Sequence, residues 1–121
     1  MANLDLVLQW SRLISLTQTN MEALSLSGVE GVFRISRKEL DGKFYVVFIG
    51  SSQDLRQELS TLISQKDTNF LKPGGDFSFR YAPLKGDEAR KAIEKQMYKQ
   101  YAPMFNHKEP QSALDIKANL N

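Results

Sequence analysis

The sequence predicts an α+β fold: a small three-stranded antiparallel sheet flanked by helices, with an extra helix at the N-terminus. Three observations carry this. Apolar residues alternate or run together over 31–36, 44–49 and 77–81, as strands require. They recur at helical spacing over 4–26, 53–65 and 88–101. A chain of 121 residues, 41% hydrophobic and 25% charged, has the size and balance of one globular domain.

The first helix is expected over 4–26. Leu4, Val7, Leu8, Ser11 and Ser15 form one stripe, with Trp10, Leu13, Ile14 and Leu16 beside it. Asn3 is its cap, the polar run Thr17–Asn20 a break, and Met21–Leu26 a second short turn ending at Gly28. The wide apolar arc suits packing on the sheet, or a partner or homodimer contact through 4–26.

Along strand 31–36, Val32, Arg34 and Ser36 point one way and Phe33 and Ile35 the other. Asp41-Gly42 marks a turn, and Phe44–Ile49 is apolar enough for burial on both faces. Ser52 is expected to cap the next helix, whose inner face carries Leu55, Leu59, Leu62 and Ile63. A loop containing Lys72-Pro73-Gly74-Gly75 leads to strand 77–81. That loop opens onto no helix, so it lacks phosphate-loop geometry. Asp87 is expected to cap the last helix, with Ala89, Ile93 and Met97 inward and Pro103 ending it. The chain thus divides into a helical extension (1–28) packed on the domain, the sheet-bearing domain (29–107) and a polar, mostly loose tail (108–121) with one turn expected near Ala113–Lys117.

Composition excludes several chemistries. Without cysteine there is no disulfide, thiolate metal site or Cys nucleophile. His107 is the single histidine, and it falls in the tail. Sixteen Lys+Arg against fourteen Asp+Glu is too even to mark a nucleic-acid binder by charge alone. No run of 18 apolar residues spans a membrane, and the N-terminus lacks the early positive charge of a secretory signal. The expectation is a soluble cytoplasmic protein.

Four segments resemble the GIY-YIG nuclease domain. Gly31-Val32-Phe33-Arg34-Ile35 is similar to the first signature, and Phe48-Ile49-Gly50 to the second. Asp54-Leu55 opens a helix like the family's first. Glu94 is followed nine residues later by Pro103-Met104-Phe105-Asn106, like the family's Glu-bearing helix and its Pro-x-x-Asn end. The likeness spans about 29–107 and implies a GIY-YIG-like fold with metal-dependent hydrolysis of a DNA phosphodiester. A signature tyrosine would serve as base or water-positioner, an arginine on the first helix would meet the phosphate, and the glutamate would hold Mg²⁺ or Mn²⁺.

The chain departs from that pattern where the chemistry lies. Both tyrosine positions are phenylalanine, Phe33 and Phe48, with no proton to exchange. The arginine position, eight residues after Gly50, holds Glu58. Only Glu94 and Asn106 remain. Losing a positioned base costs about 10²–10⁴ in rate, and losing one electrostatic donor about 10²–10³. Neighbours do not replace them: strand alternation turns Tyr45 to the face opposite Phe48, and two helical steps turn Arg56 away from Glu58. Arg90, one turn before Glu94, is expected to pair with Glu94 or Glu58. Asn106 is expected to be structural.

Basic residues gather over 80–99, with a local charge of +3. Lys91, Lys95 and Lys99 form a helical stripe, and Arg34 and Lys43 lie in or beside the hairpin. Arg34, Lys43, Arg90, Lys91 and Lys95 are the candidate nucleic-acid contacts. Tyr98 and Tyr101 are candidate base-stacking rings, with Tyr101 better suited to the core. The leading expectation is a catalytically inactive GIY-YIG-like domain retained to bind nucleic acid or protein. The alternatives are a metal-dependent DNA endonuclease using Glu94 with another base, and a structural or dimerising module.

Overall fold

The computed structural model describes residues 4–64, 76–103, 106, 110, 112 and 116–120. Among them the elements run β1 (Leu4–Leu6), β2 (Ile14–Ser15), α1 (Gln18–Ala23), β3 (Gly31–Lys38), β4 (Phe44–Ser52), α2 (Leu55–Ser64), β5 (Phe77–Pro83), α3 (Asp87–Tyr101) and β6 (Ile116–Ala118). The fold is α+β. Its main sheet is antiparallel with strand order β2-β5-β3-β4, and β1 pairs with β6 as a separate parallel ribbon.

Strand alternation sends β3 side chains to two different cores. Phe33 and Ile35 pack with Met21, Leu55, Leu59 and Phe79 beneath α1 and α2. Val32 packs with Ile93 and Met97 of α3, and with Leu8 and Leu120 from the two ends of the chain. The sheet is therefore covered on both faces, and β3, bonded on both edges, is buried from Gly31 to Ser36. The doubly buried strand is β3, not Phe44–Ile49. The β4 strand lies at the sheet edge, and Phe44 and Tyr45 at its outer end are exposed.

The hairpin, the middle and last helices and the third predicted strand form where expected. The helix over 4–26 does not. Leu4–Leu6 and Ile14–Ser15 are strands, and only Gln18–Ala23 is helical. The wide apolar arc had a different cause: Val7 is 81% exposed while Leu8 is buried, the signature of a period-two segment. Main-chain bonds fix that conformation. Ser11 N donates to Tyr81 O at 2.8 Å and Leu16 N to Phe77 O at 2.9 Å, extending β2 along β5. A dimer surface on a helix over 4–26 therefore has no basis, and the sheet has a fourth strand. The supposed break at Thr17 is the helix start, where the Thr17 hydroxyl accepts the Asn20 amide at 3.2 Å.

The other caps shift by one or two residues. Asp54, not Ser52, accepts the Gln57 amide at 3.2 Å to cap α2, while Ser52 holds the Asp54 main chain. Gly86 stands at the start of α3 with φ +99° and no side-chain cap, so Asp87 lies in the first turn rather than capping it. Ala102 in the left-handed region ends α3 before Pro103. Within the expected tail, residues 116–118 form a strand: β6 runs beside β1 in register Leu4↔Ile116, Asp5↔Lys117 and Leu6↔Ala118. No helix among the described residues is long and apolar enough to cross a membrane.

Candidate functional site

The two signature segments face each other across the hairpin, with Gly31 opposite Ser52 and Phe33 opposite Gly50. Both signature glycines are explained by packing. A Cβ on Gly31 would collide with the carbonyl oxygen of Ala82, whose strand runs alongside. A Cβ on Gly50 would lie 2.7 Å from Phe33 Cζ. The Phe33 ring is thus seated on the bare Gly50 backbone and is wholly buried. Phe48 is half-buried with its ring centroid 6.2 Å from that of Phe33. Both rings join the apolar cluster under α1 and α2.

Register also corrects the placement of Tyr45. Between Ile35 and Ser36 the pairing skips one β4 residue, so Ile35 faces Phe48, Ser36 faces Val46 and Arg37 faces Tyr45. This bulge at Val47 returns Tyr45 to the face of Phe48. Its hydroxyl is nevertheless engaged at the hairpin turn, donating to Asp41 Oδ2 at 2.6 Å. That contact holds the Tyr45 pKa above its ordinary value, and Asp41 below its own.

Glu58, half-buried on α2, lines an open depression of about 530 Å³ with Gly28, Ser52, Asp54, Gln57 and Thr61. Glu94 reaches the same end of β4 from α3 and accepts a hydrogen bond from the Ser51 side chain. Burial pushes the Glu94 carboxyl above the usual range. The Ser51 bond, Lys91 and Arg90 oppose that push, and the Glu58 charge adds to it. The two carboxylates therefore share one electrostatic neighbourhood.

Arg90 does not pair with Glu94 or Glu58. It is 3% exposed, bonds Glu30 Oε1 at 2.7 Å and ion-pairs with Asp87 one turn earlier. Its helix is tied to the entry of β3, where Leu84 N donates to Glu30 O. Arg34 also points inward. It is 6% exposed, with its guanidinium 4.6 Å from the Trp10 ring centroid and 5.2 Å from that of Tyr101. Its Nη1 donates to the Tyr101 hydroxyl at 2.8 Å and to the Leu120 carbonyl. Burial lowers its pKa, Tyr101 raises it, and neighbouring Arg80 lowers it. Two of the five candidate nucleic-acid contacts are thus core groups. Lys43 and Lys91 are exposed and Lys95 is half-buried. Tyr101 is half-buried around Arg34, and Tyr98 packs against the α3-side core. His107 and the Lys72–Gly75 loop lie outside the described residues.

Asn106 is structural. Its Oδ1 accepts the Ile49 amide at 2.8 Å and its Nδ2 donates to the Ile49 carbonyl at 3.0 Å. The side chain thereby replaces a strand at the free edge of β4. For a divalent cation the donor set is poor. No group of three His, Cys, Asp or Glu side chains converges among the described residues. Glu94 is held toward its neutral form by burial, opposite to what a metal ligand requires.

Sequence reasoning missed the cluster around Arg34: Trp10, Gln96, Tyr101, Asn119 and Leu120. A signal was present, since Ile116, Ala118 and Leu120 alternate with polar residues as a strand does. Comparison with known proteins assigns no relative: no protein-family model, curated protein or solved structure matches this chain.

Proposed function

We propose that this chain is a catalytically inactive, GIY-YIG-like domain that works by binding, with a protein rather than a nucleic acid as its partner. One observation carries the proposal: Phe33 and Phe48 occupy the two hydroxyl-bearing positions of the resemblance and pack into an apolar cluster, Phe33 with no exposed surface. Neither position offers a proton acceptor to an attacking water. Glu58 sets a negative charge where an anionic phosphate would approach. The remaining candidate cations, Lys43, Lys91 and Lys95, would neutralise about three phosphates and give a salt slope of about −3. The β3–β4 turn and the strand end beside it meanwhile carry exposed Leu40, Phe44 and Tyr45, apolar side chains available to a protein partner.

The test is incubation with plasmid and branched DNA in Mg²⁺ or Mn²⁺, alongside DNA titration at low salt. The expected result is no nicking, and at most weak binding that fades with salt. Cleavage that disappears in Glu94→Ala would establish the endonuclease alternative instead. Tight, salt-steep DNA binding would transfer the binding role to nucleic acid.

A further inference from the structure

The last described segment of the chain is held the way a receptor holds a peptide. Among the described residues its β6 strand pairs with β1 alone, in a ribbon separate from the main sheet. From α3, the Gln96 side-chain amide pairs with both main-chain groups of Ala118 along one edge of β6. Its Nε2 donates to Ala118 O at 2.9 Å, and its Oε1 accepts Ala118 N at 2.9 Å. Trp10 Nε1 donates to Asn119 O at 2.6 Å, and Arg34 Nη1 donates to Leu120 O. Each of these contacts engages main-chain atoms of the segment and is indifferent to its sequence. Two contacts read side chains. Asn119 clamps Leu8, accepting from its amide at 2.7 Å and donating to its carbonyl at 3.0 Å. Leu120 is 8% exposed and sits among Leu8, Val32, Ile49, Ile93 and Met97.

Main-chain hydrogen bonds that supply affinity, with an anchor pocket that supplies specificity, are the terms on which an extended peptide adds to a strand. We propose that the groove between β1 and α3, floored by Arg34 and flanked by Trp10, is a docking site for an extended peptide of the pattern small–Asn–Leu. Residues 118–120 of the chain occupy that groove in cis. Releasing them breaks no ladder of the four-stranded sheet, because β6 contributes none. The resident segment acts as a tethered competitor. Tethering gives it an effective concentration of order millimolar, and the apparent affinity for a free peptide falls by the fraction of time the groove stands open. The groove shares no residue with the depression beside Glu58 and does not use Glu94, so nuclease assays in either direction leave it untouched.

The experiment uses the full-length chain and a labelled peptide spanning residues 115–121. Leu120→Ala removes the cis anchor while leaving the groove intact, and is expected to bind the peptide at least tenfold more tightly than the wild type. Adding Gln96→Ala is expected to reverse that gain. Trp10 is the single tryptophan, so the peptide is also expected to restore its emission in Leu120→Ala toward the wild-type spectrum. A folded Leu120→Ala chain without saturable peptide binding would overturn the proposal. So would wild-type dimers that form with concentration while the free peptide is ignored, which would assign the groove to a second copy of the chain. Should Leu120→Ala fail to fold, hydrogen exchange of the wild type decides. The Ala118 amide is expected to exchange at least 100-fold faster than that of Ile35 in β3, through local opening. Equal protection would make the segment an inseparable part of the core and would end the proposal.

Discussion

Gly50→Ala offers a direct test of why a glycine closes β4. The position has no left-handed backbone, so alanine is sterically acceptable to the chain itself. Stiffening the unfolded chain would by itself add about 0.4–1 kcal/mol of stability. Against that, the new Cβ would lie 2.7, 3.1 and 3.4 Å from Phe33 Cζ, Cε1 and Cε2. Phe33 is wholly enclosed, so its ring has nowhere to retreat, and overpacking of this kind costs about 1–3 kcal/mol. The net expectation is a loss of about 1–2 kcal/mol. With a urea slope of about 2 kcal/mol/M, the denaturation midpoint should fall by roughly 0.5–1 M. Phe33→Leu removes the atoms that Cβ would strike, at its own cost of about 1–2 kcal/mol for the space it leaves. In Phe33→Leu/Gly50→Ala the two losses should therefore not add, and the coupling should reach about 1 kcal/mol in favour of the double variant. Equilibrium urea unfolding of the four proteins measures this. Additivity within about 0.3–0.5 kcal/mol would refute the view that Gly50 is there to seat the Phe33 ring.

Three further outcomes follow from the geometry. Asn106→Ala removes both bonds to Ile49 and should cost about 1–3 kcal/mol by urea unfolding, unchanged by added Mg²⁺; a loss confined to Mg²⁺-containing buffer would return Asn106 to a metal site. Glu94 has a folded pKa raised by burial, so its ionisation opposes folding, and its contribution worsens as pH climbs from the usual carboxylate range through the raised value. Glu94→Gln should accordingly gain stability relative to wild type as pH rises above the usual carboxylate range, read from denaturation midpoints, and a relative loss over that rise would show Glu94 to be stabilised as an anion. Leu13, 41% exposed, should accept glutamate within about 0.5 kcal/mol, whereas Trp10→Glu would break the Asn119 contact and the stacking on Arg34 and lower the melting temperature; equal tolerance at both positions would contradict the N-terminal packing.

The legible parts of the fold were those whose signal is local. Strands β3, β4 and β5 declare themselves by alternation, and α2 and α3 by their inward rows of Leu55, Leu59, Ile93 and Met97. Face assignment within β3 was also legible, since alternation alone separates Val32 and Arg34 from Phe33 and Ile35. What alternation did not tell is that both faces of β3 are covered. An arginine on the second face reads as a surface charge until α3 and the chain's end close over it, and so Arg34 and Arg90 looked like phosphate contacts while they serve as internal anchors. At the candidate site, the apolar rings of Phe33 and Phe48 and the negative charge of Glu58 were plain from residue types. The partner of Arg90 was not, because Glu30 stands sixty residues away along the chain.

The sequence by itself determined the α+β character, the hairpin with helices α2 and α3, and the apolar or acidic character of Phe33, Phe48 and Glu58. These depend on side-chain type and on spacings of two to four residues. The tertiary structure decided the rest: strands at 4–6, 14–15 and 116–118, the bulge that turns Tyr45, and the inward arginines. Short strands acquire their hydrogen bonds only from a distant neighbour, so no periodicity within them is long enough to announce what they pair with.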